Sequence, residues 1–246
     1  MFGRLLALLA VALGAVAALA AETPELVLNN VNDAPFTTPQ GDGFLDRVAR
    51  EAFARAGRRV RLVALPPERG LRNANEGIED GDLTRIAGME KNYPNLVRVP
   101  EKIMDWRFSA FARNPALTTT AGWKGLLPYS VGIIKGWKIA ETNLNKARQV
   151  VYVDNAEQLF RLLAKNRVDA VVYSREMGQL LLKQHMLQNV RLVEPPLDTR
   201  EMFIYLHKKH APLIPDLTRA LRSLKADGSY ERYYRESVTR VLVPTP

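Results

Sequence analysis

The run VVYVDNAEQLFRLLAKNRVDAVVYS, residues 150–174, decides the fold class. Residues 150–153 are β-branched and aromatic, the composition of a strand. Asp154-Asn155-Ala156-Glu157 follows, a polar cap and an acidic first turn that open a helix in the manner of a capping box. Leu159, Phe160, Leu162, Leu163 and Ala164 then recur at helical spacing. Residues 168–173 are a short apolar run, the pattern of a strand buried on both faces. Strand, helix and buried strand in so short a span make a βαβ unit, the building block of a parallel α/β sheet.

The same rhythm extends in both directions. Upstream, residues 26–28, 60–65 and 83–86 read as strands. A helical period over 44–56 stops at Gly57, and a helix over 68–75 ends at Gly77. The pattern restarts after the loop 114–121, with a strand over 131–134 bounded by Gly136. Downstream come a helix over 177–186, strands over 190–193 and 203–206, and a helix over 213–226 closed by Gly228. Strand-like segments at 108–113 and 202–207 bracket the middle third. The chain is therefore expected to form two lobes, residues 21–113 plus 207–246 and an inserted lobe at 114–206, each a mostly parallel sheet flanked by helices, with two crossover segments.

Residues 1–20 read as a cleavable signal peptide: Arg4, an apolar run, then Ala18-Leu19-Ala20, whose small side chains suit signal peptidase. A transmembrane anchor is the weaker reading, because the run is short and Ala-rich. The expected location is the periplasm. The chain has no cysteine, which excludes disulfides, thiolate metal sites, a cysteine nucleophile and a lipoprotein-type anchor. Its net charge of +9 is spread among acidic residues rather than clustered, so nucleic acid is not an expected partner. His207 and His210 flank two lysines and His185 is isolated, which argues against zinc. No nucleophile-elbow, P-loop or dinucleotide motif occurs, and no cofactor or catalytic residue is expected.

Four motifs follow one another along the chain: Ala34-Pro35-Phe36 with Gly41-Asp42-Gly43-Phe44-Leu45-Asp46, then Gly77-Ile78-Glu79-Asp80-Gly81, then Arg167-Val168-Asp169-Ala170-Val171-Val172, and last residues 202–234. In that order they resemble the opening, the entry into the short cleft strand, the second-lobe strand and the ending of the extracellular solute-binding proteins of the polar-amino-acid type, family 3. The resemblance covers essentially the whole chain after the leader. It implies a type II periplasmic-binding fold that closes on a small solute by hinge motion.

The resemblance also places candidate ligand residues. Asn30 and Asp33, with Phe36, match positions facing ligand, although Asn and Asp after a strand equally favour an Asx turn. Thr84 and Arg85 fall on the cleft-lining segment. Arg85 offers a planar fork for a carboxylate, or else a structural ion pair with Glu79 or Asp82. The family's clamping arginine usually comes several residues later, where this chain has Met89-Glu90-Lys91-Asn92-Tyr93. Arg69, beside Glu68 at a helix start close to the end of the second strand, is either a surface residue or a further cleft candidate. In the second lobe, Lys135-Gly136-Trp137 matches a turn whose backbone N–H groups meet the ligand carboxylate, with Trp137 in place of the usual Thr. Tyr173 and Ser174 end the second-lobe strand, and Ser174 stands where amino-acid binders usually carry an ammonium-gripping Asp. Trp106 and Trp123 read as packing residues.

The functional expectation is a monomeric periplasmic binding protein that captures a small polar or carboxylate-bearing solute, possibly an amino acid, and delivers it to the membrane permease of an ABC importer. The alternatives are a secreted lyase-like enzyme on the same fold, with Glu68, Asp33 and Glu176 as its only plausible acids, and a soluble partner that presents ligand to a sensor.

Overall fold

The computed structural model describes residues 24–185, 187 and 189–242; the expected leader lies outside the described residues. The chain runs β1 (Leu26–Asn30), α1 (Phe44–Arg55), β2 (Val60–Ala64), α2 (Pro67–Glu76), β3 (Gly81–Ile86), β4 (Leu96–Arg98) and β5 (Met104–Ala112). It continues through β6 (Ser130–Ile134), α3 (Lys138–Asn143), β7 (Gln149–Val153), α4 (Ala156–Ala164), β8 (Ala170–Ser174), α5 (Arg175–Gln184) and β9 (Arg191–His207). It closes with α6 (Ile214–Ala226) and α7 (Ser229–Tyr234).

The opening βαβ reading is met in β7, α4 and β8. Asn155 caps α4 by accepting the Gln158 N–H at 3.0 Å, and Leu159, Phe160 and Leu163 form its buried stripe. In the first half, α1 buries Phe44, Leu45, Val48, Ala49, Ala52 and Phe53 along one face. Pro67 starts α2 where its missing N–H costs nothing, and Gly77, at φ +77°, stops it.

The strands order as β2-β1-β3-β9-β5-β8-β6-β7, with β4 on β9. Two parallel cores are present, β1 with β2 and β3 and β6 with β7 and β8. Between them the sheet is antiparallel. β5 and β9 pair with each other from Met104↔Met202 to Ala112↔Arg191, with a register shift between Phe108 and Ala110. The expected segment 108–113 lies on β5 as far as Ala112, and 202–207 lies on β9.

The structure departs from the expected elements in three places. The separate strands at 190–193 and 203–206 are one strand, β9, because pairing with β5 carries the backbone past Pro195 and Pro196. Met202–Leu206 then pairs with β3 and β4, in the first half of the sheet. Beyond Gly228 the chain does not end its helices: Tyr230 and Tyr234 of the next helical stretch pack edge-on against Phe44, at 5.0 and 5.2 Å between centroids. The short elements β4 and α3 were also absent from the pattern, each having too few residues to show a period.

The buried core is nearly continuous across both halves. Trp137 bridges it, edge-on to Trp106 and Phe108 of β5 and stacked on Tyr173 of β8. The crevice between the halves is thus partly filled by one indole.

Candidate functional site

The crevice lies where strands of both parallel cores end, the usual ligand position in α/β sheets. Its centre is a small cavity of about 40 Å³ shared by Thr84 and Arg85 of β3, Trp106 of β5, and Gly136, Trp137 and Lys138 of the opposing half. A wider opening of about 260 Å³ shares Val31 and Trp137 with it and adds Asn30, Asn32, Asp33 and Tyr173. Seven of the sequence-derived candidates are therefore split between two adjoining chambers: Thr84, Arg85 and Gly136 in one, Asn30, Asp33 and Tyr173 in the other, with Trp137 shared by both.

The remaining candidates lie elsewhere. Phe36 is fully buried in the first-half core, against Phe44 and Trp106. Arg69 and Lys135 are solvent-exposed and line neither chamber. Ser174 is buried at the end of β8, its hydroxyl directed to Glu176 at 3.5 Å. Glu176 in turn accepts from Arg107, tying α5 to β5.

Arg85 is buried, and its Nη2 donates to Asp82 Oδ2 at 2.7 Å and to the Pro67 carbonyl at 3.0 Å. Asn29 Nδ2 donates to the same Asp82 oxygen at 2.8 Å. The structural pair and the exposed fork were alternatives from sequence; here Asp82 holds one end of the guanidinium. The other side keeps a buried Nε–H without a partner, as does the indole Nε1–H of Trp106. Two orphaned buried donors on residues that line one cavity call for an acceptor, since each costs about 1–3 kcal/mol when unmet.

Asn30 is spent on the backbone turn. Its Nδ2 donates to Thr37 Oγ1 at 2.9 Å, and its Oδ1 accepts from the Asn32 N–H at 3.0 Å and from Asn32 Nδ2 at 2.6 Å. Asn32 also donates to Thr84 Oγ1 at 2.9 Å, and so couples the loop after β1 to the cleft strand.

Contacts between the halves close the crevice. Tyr173 donates to Asp33 Oδ2 at 2.7 Å. Burial, with the Asp33 charge beside it, pushes that hydroxyl well above the usual tyrosine range. Lys138 Nζ donates to Glu68 Oε2 at 2.5 Å and to Glu141 Oε2 at 3.2 Å. Burial alone would raise the Glu68 carboxyl, but the Lys138 hydrogen bond and charge prevail and hold it below its ordinary value. Lys138 moves up: burial opposes its charge, and the hydrogen bonds it donates to Glu68 and Glu141 overcome it. Gly136 fits against α2 so closely that a Cβ there would lie 2.6 Å from the Glu68 nitrogen. Its own N–H donates to Glu141 Oε1 at 2.7 Å, an internal use of a group expected to face ligand.

Sequence reasoning missed Val31, Met89, Lys138 and Ile139, and assigned Trp106 to packing alone. Lys138 was the legible one, adjoining the Lys135-Gly136-Trp137 turn. Among the described residues no group of His, Asp and Glu is arranged to hold a metal ion, and no helix is long and apolar enough to cross a membrane.

No protein-family profile matches the chain. An uncharacterized protein of Shewanella oneidensis is 26% identical over 193 residues, spanning 76% of this chain and 72% of that protein. Among solved structures, an ancestral arginine-binding protein bound to arginine superposes with a TM-score of 0.74 at 19% identity, covering 88% of this chain and 99% of that one. The fold is that of the two-lobed periplasmic solute-binding proteins. The P235GK mutant of ArgBP from T. maritima gives 0.73 at 19% identity over 87% of this chain and 94% of its own. A histidine kinase sensor domain described as similar to periplasmic binding proteins gives 0.73 at 17% identity, over 88% and 96%. Identities at this level carry the architecture and leave the ligand to be argued from the cleft.

Proposed function

We propose that this chain is a periplasmic solute-binding protein that captures a small carboxylate-bearing solute between its lobes and hands it to the permease of an ABC importer. The observation that carries this reading is the pair of buried, unpartnered donors, Arg85 Nε and Trp106 Nε1, on one interlobe cavity. Buried donors left unpartnered on residues around a cavity are groups that a bound acceptor would satisfy. The arginine-binding neighbours share the fold and support a binding role.

In this reading the lobes meet along β5 and β9. One holds β1 to β4 with α1, α2, α6 and α7; the other holds β6 to β8 with α3, α4 and α5. The expected boundary at 206/207 then moves back to about Met202, because Met202–Leu206 pairs with β3 and β4. Thr84 and Arg85 meet the solute from one side and Trp137 from the other. Lys138–Glu68 and Tyr173–Asp33 act as latches, and a hinge motion about the two crossing strands admits and traps the solute.

Catalysis is disfavoured by the same geometry. Asp33, Glu68 and Glu176 each face a hydroxyl or a cation of this chain, so no pair of acids is poised as acid and base. The test is a thermal-shift panel of amino acids, dicarboxylates, polyamines and aromatic acids, run on protein refolded to strip any co-purifying ligand. At one hundred times Kd a true solute stabilises by about 2.7 kcal/mol, and it should be recovered intact. Consumption of the solute, or a flat response to every compound, contradicts the proposal.

A further inference from the structure

We propose that the wider chamber of the crevice is a subsite for an organic cation, so that the solute carries an ammonium or guanidinium group set apart from its carboxylate; this rests on the cleft reading above and narrows its substrate class. The central cavity, at about 40 Å³, has room for a head group of a few atoms and no more. The body of a solute must lie in the adjoining chamber of about 260 Å³, which residues of both halves line.

That chamber is charged in one sense only. Among the described residues, its lining holds two carboxylates, Asp33 and Asp154, and no Lys, Arg or His. Asp33 comes from the loop after β1 and Asp154 from the end of β7, so the two reach it from opposite halves. Asp33 gives Oδ2 to the Tyr173 hydroxyl and keeps Oδ1 to offer. The Asp154 N–H donates to Gln158 Oε1 at 3.1 Å, but among the described residues its exposed carboxylate has neither a hydrogen bond nor an ion pair. A second observation is independent of these charges. Asn32, 5% exposed, spends its amide N–H groups on Asn30 Oδ1 at 2.6 Å and Thr84 Oγ1 at 2.9 Å. Its Oδ1 is buried without a partner. An unmet acceptor on a residue of this chamber calls for a donor, as the unmet donors around the central cavity call for an acceptor.

The two demands are separated in space. Arg85 and Trp106 line the central cavity and not the wider chamber, whereas Asn32, Asp33 and Asp154 line the wider chamber and not the central cavity. Trp137 borders both, its ring centroid 5.6 Å from that of Trp106 and 5.3 Å from that of Tyr173. A molecule that meets both demands presents its acid group and its cation at opposite ends of a short chain.

The lining suits an organic cation better than a metal ion. Among the described residues no three of His, Asp and Glu are grouped to hold one, and hard cations take six or more oxygens. Trp137 and Tyr173 add aromatic rings, which attract alkylammonium and guanidinium groups. The N-terminus of α4 also opens here, at Asn155 and Ala156. Its charge of about +0.5 offsets only part of two full negative charges.

The test is calorimetric titration of the refolded full chain, wild type and Asp154→Asn, at low salt with pairs of equal chain length: 4-aminobutanoate against butanoate, and 5-aminopentanoate against pentanoate. In at least one pair the wild type should bind the amino compound about ten-fold or more tightly than its plain partner, the worth of a charge-assisted hydrogen bond. In Asp154→Asn that ratio should fall by about three-fold or more, the share of one exposed ion pair. The ratio is taken within one variant, so a change in folding or closure common to both compounds cancels. Equal affinity within both pairs overturns the proposal, and so does a ratio that the substitution leaves untouched. Magnesium or calcium binding that Asp154→Asn abolishes would overturn it in favour of a metal. If neither pair binds while a compound of the thermal panel does, the cation subsite falls and the solute-binding cleft stands. If that panel is flat as well, both fall.

Discussion

Trp137 lies flat on Tyr173, ring centroids 5.3 Å apart and planes 7° from parallel. The same indole meets Trp106 edge-on at 5.6 Å and Phe108 at 5.9 Å. A stacked or edge-on aromatic pair adds about 0.5–1.5 kcal/mol beyond the area it buries. The indole therefore packs the two halves of the sheet against each other without any ligand, and the polar contacts around it, Lys138–Glu68 and Tyr173–Asp33, are the proposed latches.

The Lys138–Glu68 latch has a pH window whose sign follows from its two members. Glu68 is depressed on folding, so its contribution is full above its ordinary value of 4.5 and fades as pH falls through the lowered value. Lys138 is elevated, so its contribution is full below 10.5 and fades as pH rises through the raised value. Small-angle scattering should therefore show the unliganded protein most compact between these limits and opening only once the pH has fallen below the ordinary Glu68 value of 4.5. In Glu68→Gln the acid limb should flatten.

Tyr173→Phe should cost about 0.5–1.5 kcal/mol in urea unfolding, the net value of one hydrogen bond. Asp33→Ala should cost more, about 1–3 kcal/mol, because Asp33 is exposed and replaceable by water whereas the Tyr173 hydroxyl is buried and left unmet. The reverse order would show that Asp33 has no part in holding the lobes.

Gly136→Ala combines two penalties. Its φ of +89° disfavours any side chain, and the new methyl would sit 2.6 Å from the Glu68 nitrogen. A loss of about 1–3 kcal/mol is expected from the backbone alone. The radius of gyration should also rise, because the methyl wedges the turn away from α2.

Arg85→Met leaves the Asp82 charge buried and unpaired, a loss of about 3–5 kcal/mol. The double variant Asp82→Asn/Arg85→Met should recover part of it, giving a favourable coupling energy in a double-mutant cycle. Equal or additive losses would mean that the pair does not stabilise the cleft strand.

The fold was legible where periodicity is long: α1, α4 and the strands around them follow from apolar spacing. What sequence could not show depends on partners distant in the chain. β9 reads as two strands because Pro195 and Pro196 interrupt it, and only its antiparallel neighbour β5 reveals the continuity. Arg85 was legible as a cation on the cleft strand. Its division between Asp82 and an unpaired Nε is set by packing around β3 and α2. Asn30 illustrates the limit, since a strand-end Asn has the same appearance whether it grips ligand or ties its own turn. Here its amide is consumed by Thr37 and Asn32. Trp106 was read as packing, and does pack, but its N–H cannot be judged until the neighbours are known.

If the cleft donors meet a carboxylate, Trp106→Phe should weaken its binding. The substitution keeps an aromatic ring against Phe36, Phe108 and Trp137 while deleting one unpartnered N–H. Melting temperatures of the refolded wild type and this variant should be compared across the same carboxylates. At least one carboxylate should stabilise the wild type, and the variant should lose a clear part of that gain, about ten-fold in Kd for a charge-assisted hydrogen bond. An identical gain in both proteins, or no gain from any carboxylate, would mean that these donors hold no carboxylate.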